Sequence, residues 1–359
     1  MLAPLSDTAE AAMLILARES RGMTQAQLAE AARRISDQRC ALNTVSQGYI
    51  SKAEAGRITV TGERLALYAA ALNYPPEILT MRESANGAGV GLVHHRRRAS
   101  LAAADLRRIN AVLNLTRIQL QRLLEVAGKP TTHRFEHADV SDIYTSEDVA
   151  RQIRQAWGLP PGPLQSLITV IENAGGFVVR RQLAGRELDA VSQRMNGGSP
   201  LFLLNVSMPV DRECFTLAHE VGHVIMHRVP HEDQERQADQ FASEFLMPAR
   251  DILPSLKGGL DLSRLIELKR LWRVSMAAIT RRAHTLGAIS EWRYRQINIE
   301  LSTLGYRTSE PAPIDPEEPA AAARLISDLR LQGLTRRDLA RVAGLSEEEF
   351  NTLYLIDAH

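Results

Sequence analysis

The sequence has few cysteines and no long apolar run, and each absence excludes a class of protein. Its 359 residues include 2 cysteines, Cys40 and Cys214. A pair so far apart does not form the framework of a disulfide-stabilised secreted protein, and it fits a reducing cytosol. No uncharged apolar stretch approaches the roughly 18 residues that a membrane span needs. The first twenty residues have no basic segment before their short apolar run, so we expect no signal peptide and a cytoplasmic protein without membrane contact.

Net charge is also small, at +1, but it is unevenly distributed. Residues 1–135 carry 18 basic and 11 acidic side chains, whereas the remainder carries 25 and 31. A basic N-terminal part is typical of a nucleic-acid contact, although many solvated domains have net charges of this size. The charge pattern alone therefore leaves DNA binding as one of two interpretations.

Changes in composition predict a multidomain chain that is mainly helical, with a central α+β part. The predicted divisions are residues 1–82 with short helices, 83–139 with a linker and a helical connector, 140–310 with mixed structure, and 311–359 with a Pro- and acid-rich linker and a helical module. Two short apolar runs, FVVRRQL and PLFLLNV, are predicted strands of the central part. PLFLLNV is either the edge strand on which a peptide lies or a plain core strand.

The segment FTLAHEVGHVIMH, residues 215–227, contains the pattern H-E-x-x-H. On a helix, His219 and His223 lie on one face and both direct ring nitrogens at one ion. Glu220 flanks that ion, as a general base does in zinc hydrolases, where the metal lowers the pKa of water to about 7. Gly222 is expected to leave room beside the metal. Two buried core histidines with an incidental glutamate are the alternative.

A catalytic zinc site needs a third protein ligand, and the segment EDQERQADQFASEFLMP offers Glu235. Asp239, one turn later, is expected to accept the other ring N–H of a ligand histidine, or is itself the third ligand. His227 lies roughly 12 Å along a straight helix from His219, so we expect it to support or cap the site rather than bind the ion. Cys214 is expected to be a small buried apolar residue.

The central region resembles the ImmA/IrrE family of metallopeptidases. The segments that carry this resemblance are DRECFTLAHEVGHVIMH, ERQADQFASEFLMP and RLWRVSMAAITRRAHTLG. The resemblance covers about residues 140–310 and implies a zincin-like fold. It also implies one Zn²⁺ bound by His219, His223 and Glu235, with Glu220 as the catalytic base. Mn²⁺ or another divalent ion remains an alternative because His/His/Glu ligation is not selective. Family members typically cleave a helix-turn-helix repressor in stress or mobile-element responses.

The N-terminal part resembles the XRE (Cro/lambda repressor-like) helix-turn-helix family. The order of LARESRGMTQAQLAEAA, VSQGYISKAEAG and TGERLALYAAALN carries the resemblance, which implies a five-helix domain and a recognition helix after Ser46. Such a helix enters the major groove of an operator, usually as one half of a homodimer. The side chains expected to contact bases or phosphates are Gln25, Ser46, Gln47, Tyr49, Ser51, Lys52 and Arg57. Gln25 contacts a phosphate or braces Gln47.

Two features depart from a simple repressor domain. The stretch RRISDQRCALNT adds residues before the recognition helix and either lengthens the second helix or inserts a loop. The C-terminal LRLQGLTRRDLARVAGLSEEEFNTLY repeats the helix-turn-helix pattern, but Glu347, Glu348 and Glu349 would repel phosphate. A packing or protein-interaction role is favoured for it.

Together these features predict a DNA-binding regulator fused to a zinc endopeptidase that cleaves a separate regulatory protein or, as a less favoured alternative, its own segment 83–100. Two other hypotheses remain open: a regulator whose zinc domain senses a ligand without proteolysis, and an antitoxin-like repressor. The intact Glu220 favours the peptidase, since zinc binding alone does not require it.

Overall fold

The computed structural model describes residues 7–39, 43–82, 102–128, 132–183, 188–195 and 198–355. Within them lie seventeen helices and one sheet of three strands. The predicted fold class, mainly helical with a small central α+β part, is therefore confirmed. Cys40 and the segment 83–100 lie outside the described residues. In the described part, no helix is long and apolar enough to cross a membrane.

Five short helices form the N-terminal part, as predicted. They are α1 (Ala11–Ser20), α2 (Gln25–Arg39), α3 (Gln47–Glu54), α4 (Gly62–Ala71) and α5 (Pro76–Leu79). The additional residues before the recognition helix extend α2 to 15 residues. Met13, Leu28, Ile50 and Leu67 come from four different helices and are almost fully buried in the shared core. Apolar burial of this kind is the main stabilising contribution to a small helical domain.

A long helix connects the N-terminal part with the C-terminal module. It is α6 (Ala103–Ala127), and the module consists of α15 (Ala321–Leu331), α16 (Arg336–Ala343) and α17 (Glu347–Tyr354). Thr335 and Asp338 form a reciprocal capping box that fixes the start of α16. The module packs along α6, where Leu329 and Phe350 join the same apolar core as the N-terminal helices. The last helices in the sequence therefore fold together with the first.

The central part contains the sheet and its own helices. The elements are α7 (Ser146–Ala156), α8 (Leu167–Asn173), β1 (Phe177–Arg181), β2 (Ala190–Arg194), β3 (Pro200–Asn205), α9 (Val210–Met226), α10 (Gln234–Leu246), α11 (Ala249–Leu256), α12 (Leu262–Trp272), α13 (Met276–Thr285) and α14 (Glu291–Thr303). A second apolar core holds them together. Phe135 packs edge-on against Trp157 in this core, with ring centroids 4.9 Å apart, although it precedes the predicted boundary at residue 140.

The three strands are arranged in the order β1-β3-β2. The central strand β3 pairs in parallel with β1 and antiparallel with β2, and all six of its residues are buried. The interpretation of PLFLLNV as an edge strand is therefore wrong, and its alternative, a core strand, is correct. The edges are formed by β1 and β2. The sequence did not indicate β2, because AVSQR has no long apolar run.

Close packing of α9 against α10 positions the candidate metal site. A Cβ atom added at Gly222 would lie 3.0 Å from Cδ1 of Phe241 on α10. The glycine therefore makes room for the Phe241 ring, and not for a metal as the sequence suggested. The small residue allows the two helices to approach, and their side chains meet at the site described next.

Candidate functional site

Two histidines of α9 face each other across one turn of the helix. His219 and His223 are 2% and 0% exposed, respectively, and their Nε2 atoms are 3.0 Å apart. The i, i+4 spacing places both rings on one face, as the sequence predicted. Two imidazole nitrogens converge on one point in the interior of the domain.

Glu235 reaches this point from the first turn of α10. Its Oε2 atom lies 3.4 Å from Nε2 of His219, and its Oε1 atom lies 3.4 Å from Nε2 of His223. All three side chains offer a ligand atom within 4.8 Å of the others. The packing of α10 against α9 therefore brings Glu235 next to the two histidines, which precede it in the sequence.

Asp239, one turn further along α10, contacts the opposite side of the His219 ring. Its Oδ1 atom accepts a hydrogen bond of 2.8 Å from Nδ1 of His219. A ring that donates from Nδ1 to a carboxylate directs Nε2 toward the ligand position. Asp239 thus lies where a supporting residue is expected, and it is not part of the converging group of three. Its Oδ2 atom is 3.4 Å from a guanidinium nitrogen of Arg281.

His227 ends α9 and bonds to the second histidine. Its Nδ1 atom is 2.9 Å from Nδ1 of His223, and its Nε2 atom is 3.0 Å from Oε1 of Gln237. Oε1 accepts only, so Nε2 of His227 carries the hydrogen and Nδ1 of His227 accepts from His223. The Nε2 atom of His223 is then left with its lone pair. His227 therefore orients a candidate ligand, and Gln237, which the sequence analysis did not single out, orients His227.

Glu220 lines a cleft of about 370 Å³ that His219 also lines. Its Oε2 atom accepts a hydrogen bond of 2.6 Å from the Ser192 hydroxyl on the edge strand β2. The glutamate is only 2% exposed, so this bond offsets part of the cost of burying a carboxylate. Ser192 is a second contact that the sequence analysis missed, because nothing in its local pattern relates β2 to α9.

The acid–base properties of the three converging groups differ. Burial lowers the pKa of His219, but the neighbouring carboxylates of Asp239 and Glu235 outweigh burial and raise that pKa to about 9. Burial prevails at His223 and lowers its pKa to about 4. The adjacent rings of His219 and His223 hold the pKa of Glu235 well below its usual range. A metal ion binds the neutral imidazole, so zinc binding would require His219 to release the proton on Nε2.

The residues fit a zinc ion. Two imidazole nitrogens and one carboxylate oxygen are the donor set of a catalytic zinc site, which keeps a further position open. Oε2 of Glu235 is buried and has no hydrogen-bond partner among the described residues, as expected for an atom directed at a ligand. Cys214 is not in the converging group and packs beside the apolar core.

The recognition helix α3 is exposed on the surface of the N-terminal part. Ser46 caps it by accepting a 3.2 Å hydrogen bond from the backbone N–H of Tyr49. Gln47, Ser51 and Lys52 are exposed along it. Their side chains are therefore accessible to a partner, whereas the Ser46 hydroxyl also caps the N-terminus of the helix.

Gln25 does not brace Gln47 in this structure. Its amide donates a 2.9 Å hydrogen bond to Glu54, which also receives two hydrogen bonds from Arg18. This network fixes α1, α2 and α3 to one another. A bracing role for Gln25 is thus present, but with a different partner from the one expected.

Two basic side chains flank α3. Arg57 follows the helix and is exposed, as the predicted phosphate contact requires. The guanidinium of Arg64 lies 4.8 Å from the ring centroid of Tyr49, a cation–π contact. Arg64 belongs to α4, and no local sequence pattern associates it with the recognition helix.

Comparison with known families assigns the N-terminal helices and the central domain to two different families. Residues 14–79 match the family model described as helix-turn-helix, and residues 172–284 match the IrrE N-terminal-like domain of a metallopeptidase family. The first range contains α3, and the second contains the three converging side chains. The chain therefore combines a helix-turn-helix DNA-binding domain with an IrrE N-terminal-like, metallopeptidase-like domain, and both resemblances are confirmed. No curated protein matches the sequence.

Proposed function

We propose that this protein is a cytoplasmic DNA-binding regulator whose central domain is a zinc-dependent endopeptidase. The observation that carries the proposal is the convergence of His219, His223 and Glu235 beside a buried Glu220 that faces a cleft. A site that only stored or sensed zinc would not need the glutamate in that place.

His219, His223 and Glu235 would hold the ion, and Asp239 and His227 would fix the orientation of the two rings. Bound zinc would supply Lewis acidity, polarising a carbonyl group and lowering the pKa of water to about 7. Glu220 takes the proton of the attacking water and later delivers it to the leaving amine. Ser192 donates a hydrogen bond to one oxygen of that carboxylate and thereby fixes the orientation of the other oxygen.

The edge strand β2 is the proposed place for the substrate backbone. Leu188, Asp189 and Ala190, at the start of this strand, line the same cleft as Glu220. An extended peptide in the cleft would pair with the backbone at the start of β2 through main-chain hydrogen bonds. The scissile bond would then lie between β2 and α9.

The substrate that we propose is a regulatory protein, a helix-turn-helix repressor, in a stress or mobile-element response. DNA binding would use Gln47, Tyr49, Ser51, Lys52 and Arg57 of a homodimer on a paired operator site. The fusion would place a peptidase at the genes that it regulates.

The test uses purified wild-type protein and Glu220→Gln, with metal content measured for both. Each is incubated with repressors encoded at neighbouring loci, and products are identified by intact mass. We expect zinc in both proteins and fragments with the wild type alone. Zinc in both without cleavage of any repressor would favour a ligand-sensing regulator. Absence of zinc from both would contradict the site itself.

A further inference from the structure

Three arginines from three different elements line the cleft beside Glu220. Arg212 lies in the first turn of α9, Arg281 on α13, and Arg307 after the end of α14. Among the described residues of this lining, Asp189 and Glu220 are the acidic ones. The wall of the cleft therefore carries more positive than negative side chains.

The three arginines differ in how well their charges are compensated. Arg212 lies 3.5 Å from Asp189, and the two form an ion pair within the wall. Arg281 is 3.4 Å from Asp239, whose other oxygen already accepts from a histidine, and its side chain is 54% exposed. Much of the hydrogen-bonding capacity of Arg281 thus remains directed at solvent.

Arg307 has only neutral partners in the part of the chain that the structure describes. Its Nε atom donates to the Ser302 hydroxyl at 2.5 Å, and a terminal nitrogen donates to Oδ1 of Asn298 at 3.4 Å. No carboxylate of the described residues lies within ion-pair distance of it. A guanidinium has five donors in a planar fork that matches a carboxylate. Arg307 therefore presents an uncompensated charge to whatever enters the cleft.

We infer that the cleft selects peptide segments with an aspartate or glutamate side chain close to the scissile bond, and that Arg307, with Arg281, binds this carboxylate. The inference rests on the proposed peptidase function. The cleft volume of about 370 Å³ is within the range of ligand sites, about 300–1,000 Å³. The charge arrangement disfavours a lysine or arginine at the same substrate position by like-charge repulsion.

Binding tests the inference without requiring turnover. Zinc-loaded, full-length Glu220→Gln is titrated with short fluorescent peptide pools, amidated at the C-terminus, that differ only in a central Glu, Gln or Lys. We expect the Glu pool to bind about tenfold more tightly than the Gln pool, as for one charge-assisted hydrogen-bonded pair, and the Lys pool to bind least. Equal affinities for the Glu and Gln pools would overturn the inference.

Substitutions of Arg307 test whether the preference for the Glu pool depends on the cleft. Arg307→Glu should abolish the preference for Glu, and Arg307→Lys should retain part of it. Arg295→Glu is the matched control, because Arg295 is exposed on α14, outside the cleft lining, and changes the net charge equally. A Glu preference that persists in Arg307→Glu, or that Arg295→Glu abolishes equally, would contradict the assignment.

A chain-end carboxylate is the other source of the same chemistry. A Gln pool with a free C-terminus that binds as tightly as the amidated Glu pool would overturn the side-chain assignment. Failure of the proposed peptidase function can be distinguished from failure of the carboxylate site. If the wild type cleaves no peptide while the Glu preference and its loss in Arg307→Glu remain, the peptidase proposal fails and the carboxylate site stands.

Discussion

At the scale of single residues, the direction of the hydrogen bonds around His223 determines the protonation of the ring nitrogen that faces Glu235. The backbone N–H of Asp233 donates to Nδ1 of His231, so Nε2 of His231 donates to Oε1 of Gln237. His227 donates to the same oxygen. Because Nε2 of His227 donates to Gln237, Nδ1 of His227 accepts from Nδ1 of His223, and Nε2 of His223 keeps its lone pair.

This arrangement predicts that Gln237→Leu lowers zinc affinity although residue 237 is not a proposed ligand. Without the acceptor, His227 no longer has a fixed tautomer and His223 loses its oriented partner. We expect a decrease of about 10- to 100-fold, typical for groups that orient metal ligands. Competition with a chromophoric chelator measures the affinity.

Gln237→Glu is the control, because it keeps an acceptor oxygen at the same position. Its zinc affinity should stay within a few-fold of that of the wild type. Wild-type affinity in Gln237→Leu would show that the orientation of His223 does not depend on Gln237.

The candidate ligands were predictable at this scale because helical spacing brings His219 and His223 together. Glu235 was predictable because a catalytic zinc site needs a third protein ligand and the next helix offers this carboxylate. Ser192 and Gln237 were not predictable, since their contacts depend on how β2 and the loop after α9 fold back. Local sequence patterns contain no information on such contacts.

At the scale of secondary-structure elements, the contact between α9 and α10 holds the third ligand candidate against the first two. Gly222→Ala tests this contact. The added Cβ would lie 3.0 Å from Phe241, which stacks on Phe245 in the core. We expect destabilisation by about 1–3 kcal/mol, as for overpacking elsewhere, and weaker zinc binding because the helices move apart.

Gly48→Ala provides the comparison for Gly222→Ala. Gly48 also lies within a helix, but no atom is within 4 Å of an added Cβ. Alanine there should be neutral or stabilising by about 0.5–1 kcal/mol. Urea denaturation gives both free energies of unfolding, and equal effects of the two substitutions would mean that Phe241 shifts without cost.

The recognition helix α3 gives a prediction about DNA. Lys52→Ala should weaken binding to all sequences similarly and reduce the salt-dependence slope by about one. Gln47→Ala should cost about 1–3 kcal/mol at preferred sequences only. Fluorescence anisotropy with duplexes selected from a random pool, at several salt concentrations, distinguishes the two effects.

Arg295→Ala, on the central domain, serves as the control of equal charge loss for Lys52→Ala. If it changed the salt slope as much as Lys52→Ala does, the effect would be general electrostatics. A loss of affinity for all duplexes in Gln47→Ala would argue against base contact by this side chain.

Element types were more predictable than element neighbours. The extension of α2 was one of two expected outcomes of the inserted residues. The identity of the edge strand was not predictable, because sheet order depends on pairing between distant segments. The partner of Gln25 also depended on such pairing, since Glu54 lies at the far end of α3.

At the scale of the whole molecule, α17 lies between the DNA-binding helices and the sheet. Arg21, after α1, makes two hydrogen bonds of 2.8 and 2.9 Å to Glu349. On the other side, Arg181 of β1 donates to the carbonyl oxygen of Leu353, and Tyr354 donates to Gln119 of α6. The acidic start of α17 thus has a packing partner, a role that the sequence favoured without indicating the partner.

The ion pair between Arg21 and Glu349 predicts measurable coupling between the first and last helices. Both side chains are mostly buried, at 25% and 19% exposed, so the pair should exceed a surface ion pair and contribute about 1 kcal/mol. A double-mutant cycle with Arg21→Ala and Glu349→Ala measures this term through the free energy of unfolding. Glu348→Ala, exposed in the same turn, should show no coupling to Arg21→Ala. Additive effects of Arg21→Ala and Glu349→Ala would show that apolar packing along α6 alone holds the C-terminal module against the DNA-binding helices.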